Sequence, residues 1–144
     1  MSDFEIYAAP LTGESDTAWE RRIAGDVAAI LGAPSPVRGA GEFSHIGIEE
    51  AAVNVMLLPP GGEWVWPVFE AHPLLLDIRF RAEHPEWKSP EDFARYVFHR
   101  LDGLSKYELL LVHDLEEYVE SNFDFPEQMD MLVYRRPGQE ADQE

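Results

Sequence analysis

The sequence contains no cysteine in its 144 residues. This absence excludes disulfide frameworks, thiol nucleophiles, iron–sulfur clusters and zinc sites built from thiolates. Basic residues are also few, because 11 lysines and arginines stand against 28 aspartates and glutamates, for a formal charge of −17. Phosphate backbones and anionic membrane surfaces attract cationic proteins, so this balance disfavours direct nucleic-acid binding and membrane association.

Targeting signals and catalytic motifs are missing as well. No apolar run approaches the roughly 18 residues of a membrane-spanning helix, and the first residues carry acid where a secretory signal carries base, so we expect a cytoplasmic protein. The sequence has no Gly-rich phosphate loop, no G-x-S-x-G motif and no dinucleotide fingerprint, and its five histidines show no zinc-ligand spacing. We therefore predict no catalytic residue, no metal and no cofactor, and a protein that is more readily a binding module than an enzyme.

Two segments show the periodicity of helices packed on a core. In the first, Thr17 and Glu20 have the spacing of a capping box, and apolar residues then recur every three or four positions until Gly32. In the second, Ser89 is a preferred cap, Pro90 suits the first helical position and Gly103 ends the apolar stripe. These signals predict two main helices.

Alternating or β-branched segments predict strands around the helices. The expected strands are Phe4–Ala8, Phe43–Ile48, Ala52–Leu58, Glu63–Phe69, Leu74–Arg81 and Met129–Arg135. Residues 34–41 are expected to form a loop. Residues 104–123 fit either a strand pair or a helix, and the unbroken apolar run of residues 109–112 favours strands. The order predicts one α+β domain over residues 1–137, with two helices on an antiparallel sheet of about five to seven strands, and a solvated tail over 138–144.

Two tryptophans form the most unusual aromatic pair. Trp64 and Trp66 lie two positions apart, so on a strand both side chains point to one face. If that face is buried, the pair belongs to the core. If it is exposed, the pair forms an interaction hot spot or a ligand platform.

Acidic residues are concentrated toward the carboxyl end, where residues 108–144 hold eleven acids and two bases. This distribution favours a basic protein as partner. Carboxylates would supply charge for its recognition and two aromatic side chains would supply apolar anchors. The candidate partner-binding residues are Asp114, Glu116, Glu117, Tyr118, Glu120, Phe123 and Asp124.

A small, cysteine-free, strongly acidic α+β chain with the acidic stretch Val112–Phe123 resembles the immunity proteins that bacteria make against polymorphic toxins. The resemblance implies that the protein neutralises a cognate toxin, such as one of the nuclease type, by occluding its basic active cleft. Two alternatives stay open: a small enzyme or ligand-binding domain with a pocket near Trp64 and Trp66, and a regulatory module or nucleic-acid mimic that binds another basic partner. The sequence does not indicate an oligomeric state.

Overall fold

A computed structural model describes residues 4–13, 15–38, 43–58, 71–114 and 117–123. Within this part of the chain, seven strands form one antiparallel sheet and two helices pack on it, which confirms the predicted α+β class. The sheet order is β2-β3-β4-β5-β1-β6-β7. The elements are β1 (Phe4–Pro10), α1 (Thr17–Leu31), β2 (Val37–Arg38), β3 (Phe43–Gly47), β4 (Ala51–Leu57), β5 (Leu74–Phe80), α2 (Pro90–Asp102), β6 (Tyr107–His113) and β7 (Glu117–Ser121).

The first strand is an interior strand of the sheet, between β5 and β6. Its sequence alternation predicts a half-buried strand, but both of its faces are buried. Ile6 packs beneath the helices, whereas Tyr7 on the opposite face joins a second cluster with Leu110 and Val112. The prediction fails because an interior strand can be covered on both faces, even when apolar and polar residues alternate along it.

The larger core lies between the helices and one face of the sheet. Apolar side chains at three- and four-residue intervals on each helix meet every second residue of the strands, as the two periodicities require. The buried set includes Ile23, Val27, Phe93, Val97, Leu101, Ile6, Val53, Leu76, Leu109 and Leu111. This core fixes the orientation of α2 against β6 and thereby positions the site described below.

The sequence predicted the positions of both helices correctly, but it assigned the wrong N-cap to α1. For α2, Ser89 is the N-cap, and its hydroxyl accepts a hydrogen bond from the Asp92 amide, as predicted. For α1, the cap is Asp16 rather than Thr17, and its carboxylate accepts from the Trp19 amide at 2.9 Å. Glu20 is therefore not part of a capping box. It is buried, and it bonds Arg38 and Ser44.

The other predicted segments divide between those the structure describes and those it does not. Residues Tyr107–His113 and Glu117–Ser121 form the antiparallel pair β6–β7, so the strand interpretation of this region is correct. The loop expected over 34–41 contains the two-residue strand β2, which was missed. The strands expected at Glu63–Phe69 and Met129–Arg135, and the tail, lie outside the described residues. Neither described helix is long and apolar enough to cross a membrane.

Candidate functional site

The antiparallel connectivity brings several separate loops to one end of the sheet. At this end β1 and α2 begin, and β3, β5 and β6 stop. The backbone N–H groups of Arg81 and Ala82 donate to the Glu50 carbonyl at 2.9 and 3.0 Å, which joins the loop after β5 to the β3–β4 turn. Residues far apart in the sequence are thus neighbours here.

This end, called here the acidic end, holds half of the sixteen acids in the described residues. They are Glu49, Glu50, Glu83, Glu86, Glu91, Asp92, Asp114 and Glu117, and three bases accompany them: Arg81, Lys88 and Arg95. The opposite end, with the start of α1, is balanced. It carries Asp16, Glu20, Asp26, Asp102 and Glu108 against Arg21, Arg22, Arg38, Arg100 and Lys106. The described part of the molecule is therefore electrically polarised along the strands.

A cleft of about 560 Å³ opens between the start of α2 and the β6–β7 pair. Its lining combines apolar and charged side chains: Phe4, Ser89, Pro90, Glu91, Arg95, His113, Glu117, Tyr118 and Val119. Arg95 donates to Glu91 at 2.9 Å and to Glu120 at 2.8 Å, so its guanidinium joins α2 to β7. Part of the negative charge around the cleft is consequently neutralised within the protein.

His113 is the imidazole that lines this cleft, together with the carboxylates of Glu91 and Glu117. Its Nδ1 lies 2.6 Å from the Glu117 Oε1, and its Nε2 lies 3.3 Å from the Asp114 Oδ2. Nε2 is buried, which denies a substrate in the cleft access to that nitrogen. The two carboxylates also meet different ring nitrogens, so they do not converge on one metal position, and no cluster of three metal-ligating side chains occurs among the described residues. In this arrangement Glu117 engages Nδ1, while Nε2 has no hydrogen-bond partner within the described part of the chain.

The candidate partner-binding residues are neighbours in the sequence, but the described ones lie in different parts of the structure. Asp114 and Glu117 lie at the acidic end. Glu120 faces α2, where Arg95 and His99 both contact its carboxylate. Tyr118 and Phe123 pack against the second cluster on the opposite face of the sheet.

Phe123 also stacks on the His72 ring, with 4.9 Å between the ring centroids. Both aromatic side chains are half-buried, so they stabilise the sheet as well as being candidate anchors. The remaining predicted residues, Glu116, Asp124, Trp64 and Trp66, lie outside the described part of the chain.

Sequence reasoning missed the acids contributed by the other loops. Glu49, Glu50, Glu83 and Glu86 occur in short connections that looked like ordinary solvated turns. The predicted strands gave no signal for this grouping. With a strand at Glu63–Phe69, strict alternation of direction places the turn after Phe43–Ile48 and the loop after Leu74–Arg81 at opposite ends of an antiparallel sheet.

Comparison with known proteins gives no relative from which a function could be transferred. No family model matches the chain, and neither the curated proteins nor the solved structures include a significant match. A fold class alone does not determine function, so the function has to be argued from the site.

Proposed function

We propose that the acidic end is a docking surface for a basic protein, and that the protein acts as an immunity protein that occludes the basic active cleft of a toxin. The observation that supports this proposal is the charge asymmetry. Eight acids and three bases occupy one end of the described sheet, whereas five of each occupy the other. If the acids served solubility alone, we would not expect them to be distributed so unevenly between the two ends.

Several carboxylates at this end point to solvent without a partner in the described residues. Glu49, Glu83 and Glu86 are exposed, and their side chains make no hydrogen bond or ion pair there. A partner's cation can replace the water around these groups without breaking a contact inside the described part of the protein. They are therefore the carboxylates best suited to meet cations on a partner.

We further propose that the toxin acts on nucleic acid. An enzyme that cuts nucleic acid needs a cationic surface around its phosphate sites. A carboxylate-rich surface is attracted to that cleft at long range, and complementary charge raises the association rate and selects the partner more than it raises affinity. We expect the acidic end to occupy the place of the phosphates and to exclude substrate.

The experiment compares two double variants that change the net charge equally. Glu83→Gln with Glu86→Gln removes two charges from the acidic end, and Leu11→Lys with Leu104→Lys adds two positive charges at exposed positions of the opposite end. The immobilised wild-type chain is used to capture basic proteins from the source organism. Each captured protein is then produced alone and together with this chain, with growth as the readout.

A captured protein that is toxic alone and harmless together with the chain supports the immunity function. Its association rate with the wild type should fall as salt rises. The rate should fall about 3- to 10-fold in the Glu83/Glu86 variant and change little in the control. Equal effects of the two variants would mean that net charge alone governs binding, and a captured protein without toxicity would contradict the immunity function.

A further inference from the structure

A groove of about 450 Å³, called here the β2 groove, lies beside the acidic end, where the edge strand β2 pairs with β3. The side chains of Pro34, Val37 and Ile48 supply its apolar part. Val37 is 63% exposed, more than any other large apolar side chain that the structure describes. The other two exposed ones, Leu11 and Leu104, lie at the opposite end of the sheet. Next to the acidic end, the described part of the chain therefore offers exposed apolar surface to a partner at the β2 groove.

An imidazole with a defined donor and a defined acceptor lines the same groove. His45 of β3 pairs with Val37 across the β2–β3 ladder, so the two side chains lie on one face of the sheet. Its Nδ1 lies 2.7 Å from the Asn54 Oδ1. An amide oxygen can only accept, so Nδ1 donates, and in the neutral ring Nε2 is left to accept. Nε2 has no hydrogen-bond partner among the described residues, which leaves this acceptor to a ligand.

Gly47 gives this imidazole the room to occupy its position. A Cβ added at Gly47 would lie 2.9 Å from the His45 Nε2, closer than a side-chain carbon normally comes to another heavy atom. Glycine therefore lets the ring lie close against the backbone of β3, while Asn54 fixes the direction of Nδ1. Because both His45 and Gly47 line the β2 groove, the accepting nitrogen is held at its wall.

A carboxylate and a guanidinium also line the groove. Glu49 lies in the tight β3–β4 turn, which the Ile48 amide closes by donating to the Ala51 carbonyl at 2.9 Å. The Glu49 side chain is exposed and makes no hydrogen bond or ion pair within the described ranges. The Arg81 Nη1 is directed to the Ile48 carbonyl, at the long distance of 3.5 Å. The carboxylate is therefore open to a cation, whereas the guanidinium already has a backbone acceptor.

We propose that the β2 groove receives a lysine side chain of the basic partner. The carbon stem of the lysine lies along the apolar part of the groove, and its ammonium donates to the Glu49 carboxylate and to the His45 Nε2. An ammonium has three rotatable donors and no acceptor, which suits two acceptors of different kinds, whereas the fixed fork of arginine suits a single carboxylate. Long basic side chains commonly lay their stems on apolar surface in this way. This inference rests on the proposed function and names the side chain that the docking surface recognises.

The test is an NMR titration of the full chain with a capped pentapeptide that carries one lysine between glycines. We expect saturable shifts centred on the signals of Val37, His45 and Gly47. A matched peptide with norleucine keeps the four-carbon stem and lacks the ammonium, so it should bind about 2- to 5-fold more weakly. A matched peptide with glutamate tests the alternative that Arg81 receives an anion, and it should not produce these shifts.

Single variants of the chain measure the contribution of each group to binding of the lysine peptide. Glu49→Gln should weaken binding about 2- to 5-fold, whereas Glu83→Gln removes the same charge outside the groove and should change it little. Gly47→Ala displaces the imidazole and should weaken binding about 2- to 10-fold. Should that variant fail to fold, His45→Phe removes the accepting nitrogen and should have a similar effect.

Equal binding of the lysine and norleucine peptides would overturn the proposal, and so would tighter binding of the glutamate peptide. Equal effects of Glu49→Gln and Glu83→Gln, or unchanged binding in His45→Phe, would contradict it as well. The two proposals fail separately. A lysine peptide that leaves the groove signals unmoved refutes this inference but not the effect of Glu83 and Glu86 on a captured basic protein. A capture experiment that yields no toxic basic protein refutes the proposed function and leaves the titration result as it is.

Discussion

The Tyr107 hydroxyl donates a 2.6 Å hydrogen bond to the carboxylate of Asp26 and so ties the start of β6 to α1. Burial, and then this bond to Asp26, raise the pKa of Tyr107 far above its ordinary value. On the opposite face, burial and then the negative charges of Glu5 and Asp77 raise the pKa of Tyr7 in the same direction. Both phenols are held neutral by the fold.

The raised pKa values of Tyr7 and Tyr107 predict a loss of stability in alkaline solution. The unfolded chain releases these protons near pH 10, whereas the folded protein retains them at higher pH. The stabilising effect is therefore complete below about pH 10 and is lost as pH rises above it. Absorbance of tyrosinate and far-ultraviolet circular dichroism, recorded together during an alkaline titration, should show these two residues ionising only as the protein unfolds.

The variant Tyr107→Phe provides the control for that titration. It removes the hydroxyl and leaves Asp26 next to Lys106, so we expect a cost of about 1–2 kcal/mol near neutral pH. Its free energy of unfolding should then fall less steeply with pH above 10 than that of the wild type. An equally steep decline in the two proteins would contradict the assignment.

Removing Arg38 should cost more stability than neutralising Glu20. The Glu20 carboxylate is 2% exposed and accepts from Arg38 at 2.6 and 2.8 Å and from Ser44 at 2.6 Å. Arg38→Met leaves a buried carboxylate without its cation, at a cost of about 2–4 kcal/mol. Glu20→Gln leaves a half-exposed guanidinium that water can reach, at about 1–2 kcal/mol. Urea unfolding of both variants measures the order, and the reverse order would refute this account.

The two candidate caps of α1 are distinguished by a pair of alanine variants. Asp16→Ala removes the side chain that accepts from the Trp19 amide, and it should destabilise the protein by about 1 kcal/mol. Thr17→Ala changes a residue that is already helical, so the effect should stay within about 0.5 kcal/mol. Thermal unfolding can compare the two variants with the wild type. A larger loss in Thr17→Ala would restore the capping box that the sequence suggested.

The elements of the fold were largely predictable because their signals are local. Ser89, Pro90 and Gly103 each mark an end of α2 through backbone geometry that involves only near neighbours. What the sequence could not show was the order of the strands. The burial of Tyr7 on the second face follows from the pairing of β1 with both β5 and β6, which joins segments about 70 and 100 residues away.

The site was predicted less well than the helices and strands, because it too depends on contacts between segments that are far apart in the sequence. Glu120 was predicted as a binding residue because acids are dense in its part of the sequence. In the structure Arg95 and His99 of α2 contact its carboxylate, so its charge is largely compensated within the protein. Glu83 and Glu86 looked unremarkable in sequence and lie at the acidic end only because of the sheet connectivity. Charge that recognises a partner depends on which groups remain unpaired after folding, and that depends on long-range contacts.

A glycine inside α1 and the glycine that caps its carboxyl end should respond to alanine in opposite directions. An added Cβ would meet nothing within 4 Å at either Gly25 or Gly32, so neither substitution creates a clash. Gly25 is exposed in the helix interior, and alanine there should stabilise the protein by about 0.5–1 kcal/mol because it restricts the unfolded chain. Gly32 ends the helix with a φ of +67°, where alanine should cost about 1 kcal/mol.

Urea unfolding of Gly25→Ala and Gly32→Ala isolates this backbone effect, since steric contact is absent in both. The midpoints should move to opposite sides of the wild-type value while the slopes of the transitions stay the same. A shift of both midpoints in one direction would mean that the left-handed conformation at Gly32 is not what ends α1. The 2.8 Å bond from the Ala33 amide to the Ala28 carbonyl belongs to the motif that the left-handed residue at position 32 creates, so we expect Gly32→Ala to weaken that bond as well.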